Sequence, residues 1–198
     1  MPTLPCPSAD STAPPPVDDR VIVVPADPTW AVRYRIEAQL LRVVLSELDP
    51  GVEHIGSTAV PGLAAKPVID LLIGVPGLER FAPYAHRLLA YGYEYVADQE
   101  RNVPDRRFFK RVVAGVRTHH LHVVQRDGPL WQRYLGFRDA LRADPALAQR
   151  YAQLKLALAE RHPDDREAYT AGKTSFVECV LAARCGGGAP RMLTALAA

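Results

Sequence analysis

The stretch GSTAVPGLAAKPVIDLL, which runs from Gly56 to Leu72, decides how this sequence is interpreted. Its second half begins a short apolar segment, Val68 to Val75, that is typical of a buried strand. Because side chains alternate along a strand, Asp70 lies on the face opposite to Ile69 and Leu71, which point to the core. A carboxylate in such apolar company is costly unless it is paired or bound to a cation. Asp70 is therefore predicted to be either a ligand in a site or an anchor that hydrogen-bonds backbone amides or an arginine.

A turn of small residues, Gly56, Ser57 and Thr58, precedes this strand. Glycine lets the backbone approach a ligand closely, and the amides and hydroxyls that follow donate hydrogen bonds to phosphate oxygens. The same three residues also form ordinary turns, so the prediction of an anion-binding site depends on their combination with Asp70. Lys66 is expected either to reach the same cleft or to be solvated.

A second set of polar side chains lies in the later segment THHLHVV. His120 and His122 are predicted to share one strand face, and His119 to point away from it. Two imidazoles so spaced bind a metal or a phosphate, or act as acid or base near pH 7, and the alternative is a structural role. The HxHxH pattern of histidine-triad hydrolases is not matched, because Val124 stands at its third position.

Basic residues recur at helical spacing in the last third of the chain. Three pairs, each four residues apart, share a helix face: Arg138 and Arg142, Tyr151 and Lys155, and Tyr169 and Lys173. They are expected either to line one wall of a cleft for an anionic ligand or to form solvated helix faces. The GKT at 172–174 is not a phosphate-binding P-loop, because that motif needs a glycine at Glu167 and a preceding strand.

The order of the predicted elements indicates an α+β fold, an α/β sandwich with a helical C-terminal third. A helix over Trp30 to Leu48 is expected to present Ile36, Leu40, Val44 and Leu48 on one face. The other expected elements are a first strand over Val21 to Pro25, strands over Val52 to Ile55 and Val68 to Val75, a helix over Gly77 to Tyr91, strands over Tyr93 to Ala97, Phe108 to Val113 and His119 to Gln125, and helices from Pro129 to Ala183. AGVR is predicted to join the last two strands as a hairpin.

Composition is that of an ordinary globular protein, with 48% hydrophobic residues, 23% charged residues and a formal charge of +2. Such a charge predicts no general attraction to nucleic acid or to membranes. Residues 21–185 are expected to form one domain, between a disordered Pro-rich tail at 1–20 and a flexible tail at 186–198. Three cysteines without a CxxC pair, no secretory signal and no apolar run of about 20 residues predict a cytoplasmic protein. Its oligomeric state stays open.

The string HIGSTAVPGLAAKPVID, followed by RFFKRV, HHLHVV, FRDALR, YAQLK and AYTAGKTSFV, resembles the GrpB family of small bacterial proteins from about Val21 to Ala183. That family resembles the DNA polymerase beta-like nucleotidyltransferases, in which a Gly-Ser turn precedes two carboxylates spaced by one residue on the next strand. Gly56, Ser57 and Asp70 match this pattern, whereas Leu72 occupies the place of the second carboxylate. The resemblance implies a nucleotidyltransferase-like mixed sheet with flanking helices.

In that superfamily the carboxylates hold divalent ions that clamp a nucleotide triphosphate. The resemblance therefore implies metal-assisted transfer of a nucleotide or other phosphate-bearing group to a small-molecule acceptor. Its predicted residues are Ser57 and Thr58 for phosphate, Asp70 to hold a divalent metal, His120 or His122 as a further metal ligand or as the base, and Lys66, Arg107, Arg138, Lys155 and Lys173 to neutralise charge. The metal is unidentified, since histidine suits softer ions than magnesium. The alternatives are a non-catalytic nucleotide-binding module, which Leu72 favours, and a lyase or cyclising enzyme.

Overall fold

A mixed five-stranded sheet forms the centre of the computed structural model, which describes residues 20–184. The strands are β1 (Gly51–Ile55), β2 (Ile69–Val75), β3 (Tyr93–Tyr95), β4 (Arg106–Val113) and β5 (Val116–Gln125). Their order across the sheet is β1-β2-β5-β4-β3, in which β2 and β5 are parallel and every other pair is antiparallel. The predicted tails lie outside the described residues except for Arg20.

Helices cover both faces of this sheet. They are α1 (Thr29–Val44), α2 (Leu78–Phe81), α3 (Ala85–Ala90), α4 (Asp98–Asn102), α5 (Pro129–Ala143), α6 (Pro145–Arg161), α7 (Arg166–Ala171) and α8 (Thr174–Arg184). On one face, α1 to α3 pack against Ile69, Leu71 and Ile73, as the alternation predicted. The α+β class with flanking helices and a helical C-terminal third is confirmed. Among the helices of residues 20–184, none has the length and apolar character needed to cross a membrane.

The first helix differs from its prediction in both length and orientation. It ends at Val44 and is followed by a separate 3-10 turn, Ser46–Leu48. Ile36, expected on the buried face, is 66% exposed, whereas Glu37 is buried. The reason is tertiary, because Glu37 pairs with Arg111 of β4 at 2.6 Å and accepts a hydrogen bond from the Tyr93 hydroxyl of β3 at 2.6 Å.

Two further predictions for the first half of the chain are wrong. Val21 to Pro25 is not a strand, since its one β-bridge joins Val24 to Ala65. The helix expected over Gly77 to Tyr91 is divided by the 3-10 turn Ala82–Tyr84, where Pro83 lacks the backbone N–H that a continuous helix requires.

The predicted hairpin between β4 and β5 is present and contains an irregularity. Its two turn residues, Ala114 and Gly115, have φ of 50° and 78°, the left-handed values that a tight hairpin needs. Beyond the turn, no residue of β4 lies directly opposite Thr118, because the register shifts there, and the Thr118 hydroxyl donates to the carbonyl of Arg111 at 3.3 Å. This bulge places Phe108 directly opposite His122 and determines which residues of β4 lie beside the histidines.

Candidate functional site

A cleft lies between the sheet face that carries Asp70, the turn after β1 and the C-terminal helices. The predicted site residues that line it are Gly56, Ser57, Thr58, Lys66, Asp70, His120, His122, Lys155 and Lys173. Three tyrosines also line it: Tyr134, Tyr151 and Tyr169. Its enclosed volume is about 60 Å³, which is space for a group of phosphate size and not for a whole nucleotide. The structure thus brings together most of the side chains that the sequence predicted for one site.

Asp70 and the two histidines meet because β2 and β5 are parallel neighbours in which Asp70 lies opposite His120. Nδ1 of His120 is 2.9 Å from Oδ1 of Asp70, and Nε2 of His122 is 3.9 Å from the same oxygen. A carboxylate only accepts hydrogen bonds, so the His120 Nδ1 atom carries the proton. His119 points to the opposite face, towards Arg111 at 3.2 Å, as predicted.

The outer nitrogens of both imidazoles face donors. Nε2 of His120 is 3.2 Å from Nη2 of Arg166. Nδ1 of His122 is 3.4 Å from Nη1 of Arg106 and 3.1 Å from the hydroxyl of Tyr134. Because a guanidinium only donates, these outer nitrogens hold their lone pairs towards the arginines, and both neutral rings direct an N–H towards Asp70.

Burial and hydrogen bonding determine which side chains of this cluster are charged. Burial lowers the pKa of His122 to about 4 and also lowers the pKa of His120, although Asp70 opposes both shifts. Burial acts to raise the pKa of Asp70, but the N–H groups of the two histidines outweigh it and hold that pKa well below its usual range. Asp70 is therefore an ionised carboxylate between two neutral imidazoles.

The turn that follows β1 approaches this carboxylate so closely that only glycine fits. Gly56 has a φ of 68° and a ψ of −170°, a conformation that L side chains rarely adopt. A Cβ at this position would overlap Oδ2 of Asp70. Gly56 thus places Ser57 and Thr58 in the wall of the cleft, where the buried Thr58 hydroxyl lies 3.0 Å from Nε2 of His54.

Lysines are scarce in this chain and concentrated in the cleft. Among its 24 lysines and arginines only four are lysines, and three of them, Lys66, Lys155 and Lys173, line the cavity. Lys155 is 2% exposed and donates to the carbonyl of Ala64, and Lys173 is 4% exposed. Burial, followed by repulsion from neighbouring cations, lowers the pKa of Lys66 to about 7, and burial likewise lowers the pKa of Lys155 to about 7 and of Lys173 to about 8.

Two tyrosines hold these ammonium groups in place. The Nζ atoms of Lys66 and Lys173 lie 5.1 and 4.5 Å from the ring centre of Tyr169. Nζ of Lys155 lies 5.0 Å from the ring centre of Tyr151. Cation–π contacts at these distances partly compensate buried cations and leave their N–H groups able to meet an anion. The two tyrosine–lysine pairs predicted from helical spacing therefore form one wall of the cleft. Tyr151 and Lys155 lie on α6, and Tyr169 and Lys173 lie on α7 and in the turn that follows it.

The donor set does not fit the divalent ion that the superfamily resemblance implies. Leu72, in the place of the second carboxylate, is completely buried among Ile55, Val124 and Trp131. Within residues 20–184, no three His, Cys, Asp or Glu side chains are grouped so that they could hold a metal. The imidazole nitrogens that face Asp70 carry protons, so they have no lone pair for a cation. The three predicted metal ligands form a hydrogen-bonded cluster instead.

Two predicted cations do not reach the cleft. Arg107 faces away from it, donating to the carbonyl of Pro104 at 2.8 Å and pairing with Glu100 at 3.1 Å. The bulge explains this, because a hairpin without it would place Arg107 opposite His122. Arg138 pairs with Glu53 of β1 at 2.7 Å and donates to the carbonyl of His54 at 3.1 Å.

Three residues that the sequence interpretation missed complete the cluster. Arg106 and Tyr134 support His122, with a hydrogen bond of 2.9 Å between them, and Arg166 supports His120. Arg106 is adjacent in sequence to Arg107, which was predicted. The bulge decides which of the two faces the histidines, and the sequence does not reveal it. Tyr134 and Arg166 lie on helices whose position over the sheet has no local sequence signal.

A family model described as GrpB protein matches residues 20–183. UPF0157 protein PA4798 of Pseudomonas aeruginosa is 44% identical over 83% of this chain and 67% of its own length. UPF0157 protein YqkA of Bacillus subtilis is 36% identical over 80% of this chain, which spans only 46% of that relative. The crystal structure of conserved protein GrpB from Enterococcus faecalis is 39% identical, with a TM-score of 0.73 over 81% of this chain and 94% of that one. A more distant likeness, with a TM-score of 0.48 and 15% identity over 70% of this chain and 44% of the other, is to the Cid1 poly(U) polymerase.

Proposed function

The chain belongs to the GrpB family, and from that premise we propose that its cleft binds the phosphate group of a nucleotide or of another phosphate-bearing small molecule. The observation that carries this proposal is the charge of the cleft, in which the ammonium groups of Lys66, Lys155 and Lys173 face the single carboxylate of Asp70. An anion that enters the cavity offsets the surplus positive charge and accepts charge-assisted hydrogen bonds. The small enclosed volume receives the phosphate, and the rest of the ligand extends outwards.

The reaction class that we propose for this cleft is transfer of the phosphate-bearing group to a small-molecule acceptor. An acceptor hydroxyl loses its proton to Asp70 while its oxygen forms a bond to phosphorus. The bond from phosphorus to the leaving phosphate breaks, and the leaving group keeps the electron pair. Lys155 and Lys173 balance the negative charge that develops on the phosphate oxygens.

A non-catalytic binding module is the second candidate, and the buried Leu72 favours it. A carboxylate with so low a pKa is a weak base, and both imidazoles turn an N–H to the cleft instead of a lone pair. Turnover by the purified protein of any nucleotide that it binds, lost in an Asp70→Asn protein that circular dichroism shows to be folded, supports the transferase. Binding without turnover under any metal supports the module.

Removal of a cleft lysine is expected to weaken phosphate binding at least tenfold. A hydrogen bond to a charged group contributes about 1.5–3 kcal/mol, so loss of one ammonium group corresponds to roughly a 10- to 100-fold change in dissociation constant. Isothermal titration of pyrophosphate into the wild type, Lys66→Met and Lys173→Met measures this change.

The matched control for these variants is Lys110→Met. Lys110 is the fourth lysine, pairs with Glu94 at 3.1 Å and does not line the cavity. Its removal is expected to leave pyrophosphate affinity within twofold of the wild type. Equal losses in all three variants, or a wild type that binds no phosphate compound, would contradict the proposal.

Anion binding is expected to weaken as pH rises from 7 to 9. In the ligand-free protein the ammonium groups of Lys66, Lys155 and Lys173 lose protons in this range, because burial, followed by repulsion from neighbouring cations, depresses their pKa while Asp70 opposes the shift. A bound anion favours the charged amines, so binding takes up protons, and each coupled lysine lowers affinity by up to about tenfold per pH unit above its pKa. Sulfate, whose charge is constant in this range, is the suitable titrant. An affinity that is flat between pH 7 and 9 would show that these lysines do not meet the anion.

A further inference from the structure

The cleft has the cations that a phosphate requires before any metal ion enters. Lys66, Lys155 and Lys173 come from three separate segments, the loop before β2, helix α6 and the turn between α7 and α8, and they converge on one cavity. A divalent ion in the same space would meet three ammonium groups and one carboxylate. Since like charges in a medium of low dielectric constant repel strongly, the lysines and a divalent ion compete for the same position.

The imidazoles are also fixed in the orientation that excludes a cation. To present a lone pair to the cleft, His120 would have to direct its Nε2 proton at the guanidinium of Arg166, which lies 3.2 Å away and only donates. His122 faces the same obstacle at Arg106. The arginines behind the two rings therefore keep N–H groups, not metal ligands, on the inner side of the cluster.

The one carboxylate of the cluster is already in contact with protein groups through both of its oxygens. Oδ1 of Asp70 accepts from His120, and Oδ2 lies against Gly56. The neighbouring position on the same strand face, Leu72, belongs to an apolar cluster with Trp131. Proteins usually hold magnesium through one or two carboxylates together with water and substrate phosphates, and this wall of the cleft offers one carboxylate, which is already engaged by His120.

We infer that this protein binds its phosphate ligand as the free anion, without a divalent cation, and that the three lysines have the electrostatic role that metal ions have in other phosphate-transfer sites. The inference rests on the proposed function and narrows its substrate class to uncomplexed phosphate groups. Pyrophosphate and nucleoside triphosphates are the probes of that class. A magnesium-bound triphosphate has a smaller net negative charge, so the lysines attract it less strongly. Its magnesium ion would also lie close to their ammonium groups.

Calorimetric titration of pyrophosphate and of a nucleoside triphosphate, in EDTA and in excess magnesium, tests the inference. We expect affinity in EDTA to equal or exceed affinity in magnesium, and we expect Mg²⁺ or Mn²⁺ alone to give no binding heat with the wild-type protein. Binding that is at least tenfold tighter with magnesium would overturn the inference and leave the proposed function standing. Absence of binding in both buffers would overturn the proposed function and the inference with it.

A second measurement determines how much the lysines contribute to pyrophosphate affinity when no metal ion is present. Lys173→Met is expected to lose at least tenfold in pyrophosphate affinity in EDTA, whereas Lys110→Met retains the wild-type value. Thermal unfolding of each variant without ligand establishes that it is folded. An unchanged affinity of a folded Lys173→Met protein would show that the lysines do not replace the metal.

Discussion

Asp70→Asn is expected to lower the free energy of unfolding by about 3–5 kcal/mol, because it removes one partner of a buried charge cluster. The carboxylate is the counter-charge for Lys66 and for the buried Lys155 and Lys173, and it accepts the N–H of His120. Asparagine has the same shape but no charge, so the lysines lose their counter-charge, their pKa falls further, and keeping them protonated at pH 7 costs more. The loss should be larger at pH 7 than at pH 9, where the amines are neutral and need no counter-charge.

Urea denaturation followed by circular dichroism measures this effect, with Asp164→Asn as the matched control. Asp164 is an exposed aspartate whose ion pair with Arg20 spans 3.6 Å. Its replacement is expected to change stability by less than about 0.5 kcal/mol. A loss below about 1 kcal/mol in Asp70→Asn would mean that the lysines are compensated by groups other than the carboxylate.

Gly56→Ala is expected to destabilise the protein by about 2–6 kcal/mol through two separate causes. The backbone conformation, with φ at 68° and ψ at −170°, costs a residue with a side chain about 1–3 kcal/mol. The new methyl group would also overlap the carboxylate of Asp70, and overpacking typically costs another 1–3 kcal/mol. Chemical denaturation gives the total loss, and pyrophosphate titration shows whether the displaced carboxylate still permits binding.

Gly62→Ala separates these two causes. Gly62 also has a positive φ, 74°, but a Cβ there would meet nothing within 4 Å. Its replacement therefore carries only the backbone cost, roughly 1–2 kcal/mol. If Gly62→Ala destabilises the protein as much as Gly56→Ala does, the contact between the turn and Asp70 contributes nothing.

Much of the candidate site could be predicted because strand alternation is a local property. The opposed faces of Asp70 and Ile69, and of His120 and His119, followed from the period of two and are observed. The placement of Lys155 followed in the same way from helical spacing. These inferences needed only the direction of a side chain relative to its own backbone.

The rest depended on partners that are remote in sequence. The bulge at Thr118 shifts the register of β4, so that Arg106 and not Arg107 lies on the sheet face of the histidines. No feature of the composition marks a bulge. Glu37 is typical of an exposed helix position, yet Arg111 from a distant strand makes it a buried one. The supporting role of Arg166 likewise depends on how α7 packs over the sheet, which periodicity does not determine.

The order in which the cleft residues occur along the chain has a consequence for biosynthesis. Asp70 is translated well before His120, and Lys155 and Lys173 leave the ribosome later still. Until the last helix has docked, Asp70 lacks Lys155 and Lys173 as counter-charges. The polar cluster on the nascent sheet is therefore incomplete. A chain truncated before Lys173 is therefore expected to be cleaved by added protease faster than the full chain.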